Sequence, residues 1–274
     1  MLCQFTVKNF KSIRDEVTFD MQAAAISEHE DRIIIDKDEE KYLPVSAIYG
    51  PNGGGKSNVL AALHTLVAKV LRPLFATEDS EEKVLLQKKI IVEPFVFSES
   101  KDEPTEFELF FRTAVSEYRY ILHVKRDLVL YESLDRVKLE TGRKSALFTR
   151  DENGIVLKGA FAKLKVSDEL SKTLTLLSYL GIAYKGNTVV KDVLSWFEYG
   201  IEFLNYGNPI QELRMAVSTS EEVKQLMLQM IQEMDLDIVD FRVEEKENER
   251  IDIFTKHCVD DVETEINLFD ESSG

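Results

Sequence analysis

Gly50-Pro51-Asn52-Gly53-Gly54-Gly55-Lys56-Ser57 reads G-x-x-x-x-G-K-S, the spacing of a phosphate-binding loop. Each position in that spacing has a mechanical reason. Glycines let the backbone curl until several N–H groups face one anion. The loop then opens a helix, whose N-terminus carries partial positive charge. Lys56 is placed to reach the β- and γ-phosphates of a nucleotide, and the Ser57 hydroxyl to hold Mg²⁺.

The flanks agree with the motif. Val45-Ser46-Ala47-Ile48-Tyr49 is short, mostly apolar and β-prone, which predicts a buried strand running into Gly50. After Ser57, the residues Val59, Leu60, Leu63, Leu66, Val67, Val70 and Leu71 recur at helical spacing and predict a helix ending near Ala76. A glycine-rich turn that fits by chance is the competing reading. Four fixed positions, with strand and helix on the correct sides, weigh against it.

The chain has 274 residues, room for one large domain or for a core with a subdomain. Hydrophobic residues make up 44% and charged residues 31%, an ordinary globular balance. No uninterrupted apolar run approaches the roughly 20 residues of a membrane span. The first residues, Met1-Leu2-Cys3-Gln4-Phe5-Thr6-Val7-Lys8, read as a strand without a signal-peptide core. Cys3 and Cys258 are the only cysteines, which suits a reducing cytoplasm and offers no metal-ligand spacing. A net charge of −16 argues against a broad nucleic-acid-binding face, because phosphate neutralisation needs Lys and Arg. It leaves room for a local basic patch. Acidic residues crowd toward the C-terminus, either as a solvated strand face or as a surface for a basic partner.

Residues 2–8 and 15–21 read as strands, and 22–42 as a polar excursion before the run at 45–49. Beyond the helix, residues 90–97 and 106–133 are rich in aromatic and β-branched residues, predicting three or four antiparallel strands. Residues 146–157 predict a hairpin across Asp151-Glu152-Asn153-Gly154. The region 167–235 reads as mainly helical. One amphipathic segment is marked by Val193, Leu194, Trp196, Phe197, Ile201 and Phe203. A second is marked by Val223, Leu226, Met227, Met230, Ile231 and Met234. Core packing explains those methionines better than a cofactor pocket does. Strand character returns at 238–243 and 251–254. The division expected is a P-loop lobe with an antiparallel β subdomain over 1–165, a helical insertion over 166–235 and return strands over 236–274.

The loop alone does not separate the classes of P-loop protein. No Asn-Lys-x-Asp guanine-reading motif occurs, and a strand-rich insert straight after the P-loop helix is unlike a small nucleotide kinase. Phe5-Thr6-Val7-Lys8-Asn9-Phe10-Lys11-Ser12-Ile13, followed by Gly50 to Asn58, resembles the start of SMC-like and RecF/OLD-like ATPases, which have ABC-type heads. The chain resembles more closely the RloA-type AAA ATPases of bacterial abortive-infection and restriction-linked operons. Tyr118-Arg119-Tyr120, Tyr131-Glu132-Ser133-Leu134, Leu147-Phe148-Thr149-Arg150, Asp235 to Phe241, His257 and Phe269 to Gly274 agree with that group.

The resemblance implies an α/β fold: the N-terminal part of an ABC-type P-loop NTPase head, with an antiparallel β subdomain and a helical insertion. It implies ATP and Mg²⁺ as ligands, bound by Gly50, Pro51, Asn52, Gly53, Gly54, Gly55, Lys56, Ser57 and Asn58. Lys11 and Ser12 match the basic–Ser pair that approaches the nucleotide in SMC-like heads, although Lys11 reads equally well as a solvated lysine. Glu271-Ser272-Ser273-Gly274 matches the Glu-Ser-x-Gly-Thr motif that stands in for the ABC signature. Ser272, Ser273 and Gly274 would then donate to the γ-phosphate of nucleotide held by a second protomer. A polar tail is the bland reading of the same residues. Implied with these are a cytoplasmic homodimer or higher oligomer, an effector nuclease or toxin, and a role in anti-phage defence or DNA transactions.

Hydrolysis also needs a carboxylate for Mg²⁺ and a group to polarise water. In ABC-type heads both come from an apolar Walker B strand ending in Asp-Glu. Leu128-Val129-Leu130-Tyr131-Glu132 and Ile90-Ile91-Val92-Glu93 come closest, yet neither has the pair, and both read as structural strands. Gln87 precedes a strand rather than following one and is not assigned as the Q-loop glutamine. His257 reads as a strand-edge histidine, not the switch histidine. The sequence therefore leaves the catalytic residues unknown. It predicts part of a longer or split ATPase that hydrolyses little alone. A non-hydrolysing nucleotide-binding scaffold or sensor is the alternative.

Overall fold

Alternating apolar residues build the main sheet. In β5 (Thr105–Arg112) and β6 (Ser116–Lys125), every second residue is buried, so Phe107, Leu109 and Phe111 share one face with Tyr118, Tyr120, Leu122 and Val124. The computed structural model describes residues 1–25, 30–75, 90–97, 99–167, 170–203, 221–233, 238–245, 251–259 and 262–267. Contacts divide the chain into two compact units, Met1–Glu202 and Phe203–Gly274.

The first unit holds a seven-stranded, wholly antiparallel sheet in the order β2-β1-β5-β6-β7-β8-β9. Its other strands are β1 (Leu2–Lys8), β2 (Val17–Asp20), β7 (Leu128–Lys138), β8 (Lys144–Asp151) and β9 (Gly154–Leu157). The expected hairpin forms from β8 and β9, with Asp151 opposite Gly154. A two-stranded ribbon, β3 (Ile34–Ile35) with β4 (Lys41–Tyr42), occupies the polar excursion and buries Tyr42.

Among the described residues, three α-helices accompany this sheet: α1 (Lys56–Phe75), α2 (Leu176–Ala183) and α3 (Thr188–Tyr199). Thr175 caps α2 by accepting from Ser178 N–H, and Asn187 caps α3 by accepting from Val189 and Val190 N–H. α3 ends at Tyr199 with Gly200 as its C-cap, so Ile201 and Phe203, expected in this amphipathic segment, fall outside the helix. Trp196 and Phe197 of α3 meet Phe111 of the sheet at ring-centroid distances of 4.6 and 5.5 Å. Gly181 lies where α1, α2 and α3 converge: a Cβ there would sit 2.6 Å from Leu194 and 2.7 Å from Leu74.

The 20-residue α1 is long and apolar enough on average to cross a membrane, although, as the sequence reading has it, no uninterrupted apolar run of that length occurs. Its apolar residues are interrupted by His64, Lys69 and Arg72. One face, including Ala62, Leu63, Leu66 and Val70, is buried within this unit. Core position accounts for its apolar character.

Two predicted strands are absent. Val45–Tyr49 has no regular secondary structure and makes no ladder, and Val45 and Tyr49 are 78% and 90% exposed. Residues 90–97 are likewise outside any strand, with Ile91 and Phe97 exposed. A β-prone segment gains its stability from a neighbour, and no strand among the described residues lies beside either one.

The second unit, taken by itself, has α4 (Glu221–Glu233) and an antiparallel sheet of β10 (Ile238–Glu245), β11 (Ile251–Val259) and β12 (Val262–Asn267). Phe241 and Ile253 form its core, with Met227 and Leu228 packed on them. Leu226 and Met230 are 58% and 53% exposed, so the expectation that they pack in the core fails there.

Candidate functional site

The phosphate loop is built by its glycines. Gly53 and Gly55 have φ of +80° and +86°, conformations open to glycine and costly for other residues. Gly54 N–H donates to Pro51 O at 3.1 Å, tightening the turn. The chain then enters α1 at Lys56, and no acidic residue stands in the first turn of that helix. The Lys56 ammonium donates to Gly50 O at 2.8 Å and Pro51 O at 2.9 Å, folding back over its own loop. Ser57 is exposed on the first turn.

A second segment reaches this loop from β1. Residues 9–14 form a tight turn in which Phe10 and Ile13 exchange backbone bonds of 2.8 and 2.7 Å, and Asn9 N–H donates to Arg14 O. Asn9 and Lys11 both take positive φ, 56° and 48°. The Asn9 side chain fixes the turn: Nδ2 lies 2.7 Å from Ser100 O and 3.1 Å from Glu103 O, while Oδ1 accepts from Phe95 N–H at 3.0 Å. Lys11 N–H donates to Glu93 O at 2.9 Å. So held, the turn presents Ser12 to the phosphate loop. Asn58 Nδ2 donates to Ser12 Oγ at 2.7 Å, and a Cβ on Gly55 would stand 2.9 Å from the same oxygen.

The structure thus brings Ser12 together with Gly55 and Asn58. Lys11 is exposed, with Nζ 5.5 Å from the centre of the Phe10 ring. Ser272, Ser273 and Gly274 lie outside the described residues, as does Gln87. His257 lies within β11, opposite Thr264 of β12. The role of Asn9 was missed in the sequence; an asparagine just after a strand is the residue type suited to a left-handed turn.

The two near-matches to Walker B have structural places. Glu93 lies outside any helix or strand and offers its backbone carbonyl to Lys11. Glu132 is fully buried, and burial pushes its carboxyl up from the ordinary carboxylate range. It accepts from the N–H groups of Leu176 and Leu177 at 2.6 and 2.9 Å and from Tyr120 Oη at 2.9 Å. Arg150 lies 3.9 Å from it and donates to Leu174 O and Ser171 O. Thus Tyr120, Glu132 and Arg150, from three separate sequence motifs, meet in one buried cluster that fixes the start of α2. Among the described residues no group of three or more His, Cys, Asp or Glu side chains is arranged to hold a metal ion. A cleft of about 630 Å³ is lined by residues of β8 and β9 and by residues 162–167 and 170–172, none of them in the phosphate loop, and its Arg150 is already engaged by the Leu174 and Ser171 carbonyls.

A model of the family described as "AAA domain, putative AbiEii toxin, Type IV TA system" matches residues 45–274, most of the chain. The chain belongs to this family. Members are AAA-type, ATPase-like nucleotide-binding domains, and the match begins at Val45, the start of the run into the phosphate loop. Residues 1–44, which carry Ser12, precede the matched span. No curated protein matches the chain. The mixed α/β architecture and the loop-to-helix geometry at Gly50–Ser57 agree with an AAA nucleotide-binding domain.

The residues present fit a nucleoside triphosphate with Mg²⁺. The cradle has backbone N–H groups at a helix start, a lysine, and a hydroxyl one residue on. When bound, Mg²⁺ would neutralise phosphate charge from the side of Ser57. Lys56 would exchange its two carbonyl partners for phosphate oxygens.

Proposed function

We propose that this chain is the ATP–Mg²⁺-binding part of an ABC-type ATPase that dimerises around nucleotide and switches a partner effector. The observation that carries the reading is the joining of a G-x-x-x-x-G-K-S loop to the Ser12 turn through the Asn58–Ser12 hydrogen bond of 2.7 Å. Lys56, Ser57 and the α1 N-terminus bind the phosphates. Ser272, Ser273 and Gly274 act in trans on nucleotide held by a second protomer. The effector is a nuclease or toxin, and the setting is bacterial anti-phage defence. The resemblance to RloA-type ATPases and the toxin–antitoxin context in the family description support that setting.

Val45–Tyr49 bears on hydrolysis. This apolar segment leads into the loop, yet no hydrogen bond reaches its backbone among the described residues. Unpaired strand backbone is a template for another strand. We assign to that position a strand bearing the Mg²⁺ carboxylate and the water-polarising residue, carried by further polypeptide or by a second subunit. If neither further polypeptide nor a second subunit supplies such a strand, the chain is a nucleotide-binding scaffold or sensor.

Calorimetric titration with MgATP tests the site. The chain should bind, Lys56→Ala should abolish binding, and phosphate release by the chain alone should stay near background. Unchanged affinity in the Lys56→Ala variant would remove the site. Robust turnover would show that the catalytic carboxylate lies within this sequence.

A further inference from the structure

We infer that Asn58 is a positioning residue for nucleotide binding: its amide orients the Ser12 hydroxyl to donate to a phosphate oxygen. The inference rests on the nucleotide reading above and adds to it a residue that acts through another. A hydroxyl has one hydrogen to give and can accept two. Asn58 Nδ2 donates to Ser12 Oγ, so that oxygen is an acceptor in this bond and its own hydrogen is left for another group.

The oxygen that carries that hydrogen lies against the loop. Ser12 Oγ lies within 2.9 Å of the position a Gly55 Cβ would take, against the backbone that cradles phosphate. Both ends of the bond are anchored. Asn58 sits in the first turn of α1, where its N–H donates to Gly55 O at 2.9 Å. Ser12 is held by the Asn9 turn, tied to Phe95, Ser100 and Glu103. The 2.7 Å bond therefore joins segments 46 residues apart. Any hydroxyl donation to an anionic oxygen is charge-assisted and stronger than a neutral bond.

A double-mutant cycle on MgATP affinity, read by calorimetry on the 274-residue chain, tests this. Ser12→Ala should weaken MgATP about 10-fold, the scale of one charge-assisted hydrogen bond. Asn58→Ala should weaken it about 3- to 10-fold, and the double variant no more than Ser12→Ala alone. Full persistence of the Asn58→Ala loss in the Ser12→Ala background would overturn the inference, because Asn58 would then act independently. Wild-type affinity in Asn58→Ala would overturn it as well. Should Asn58→Ala lower the melting temperature, Asn58→Ser keeps a polar first turn, is too short to reach Ser12, and gives the same cycle. Failure of the unmodified chain to bind MgATP would instead overturn the nucleotide reading itself.

Discussion

Tyr120 donates its phenolic hydrogen to Glu132 at 2.9 Å, and both side chains are fully buried. That bond completes a carboxylate whose other partners are the first N–H groups of α2. The cluster joins the middle of the sheet to the helical layer. A further link runs on through Ser178, which donates to Val70 O of α1 at 2.7 Å.

Replacing Glu132 should therefore cost stability out of proportion to its size. Glu132→Gln keeps the shape but sets an NH₂ against backbone donors, and should cost about 1–3 kcal/mol. Glu132→Ala should cost more, since it leaves three buried donors unpaired. Urea denaturation followed by circular dichroism measures both. A change below about 0.5 kcal/mol for Glu132→Ala would mean that water replaces the carboxylate at no cost.

Arg112 governs a dependence on acid. Its guanidinium, 6% exposed, contacts Asp36, Asp38 and Glu117 at 3.0, 2.7 and 2.7 Å. The hydrogen bond from Arg112 holds the Asp38 carboxyl below its usual range, against a smaller opposing effect of burial. A depressed folded-state pKa gives stability that is present above the unfolded value, about 3.9, and is lost as pH falls through the folded value. Asp38→Asn should thus lower the melting temperature at pH 7 and change it little near pH 2. Equal losses at the two values would show that the ion pair is not the source.

Gly55 should tolerate no side chain. Gly55→Ala places a Cβ 2.9 Å from Ser12 Oγ on a residue with φ of +86°. Backbone strain of this kind costs about 1–3 kcal/mol, and the contact displaces the Ser12 turn. MgATP affinity should fall at least about 10-fold, since one displaced donor to phosphate is worth that much. Adding Ser12→Ala should relieve the contact without restoring the loop. Wild-type binding by Gly55→Ala would show that the loop adjusts freely.

The loop, the helix after it and most strands were legible because local rules fix them. Motif spacing specified Gly50–Ser57, period 3.6 specified α1, and period 2 specified β5 and β6. The run at 45–49 misled because strand propensity is a statement about neighbours, and its neighbour is not among the described residues. The exposed Leu226 and Met230 misled for a related reason: helical period marks a face, not what covers it. The Ser12–Asn58 bond was not legible at all. It depends on a turn whose shape is set by the carbonyls of Ser100 and Glu103, about 90 residues away.

The order of strands has a consequence during synthesis. β5 to β9 follow one another in chain order, whereas β1 pairs with β5 across about 100 residues, with Leu2 opposite Phe111. At about 5–20 residues per second, the ribosome makes the partner of β1 roughly 5–20 s after β1 itself. For that interval the N-terminal strand has only β2 beside it, and a lone hairpin is marginal in water. The Ser12 turn follows directly from β1, so the phosphate loop emerges before the element that supports it is fixed. Nucleotide affinity should appear in nascent chains only after β5 has left the exit tunnel.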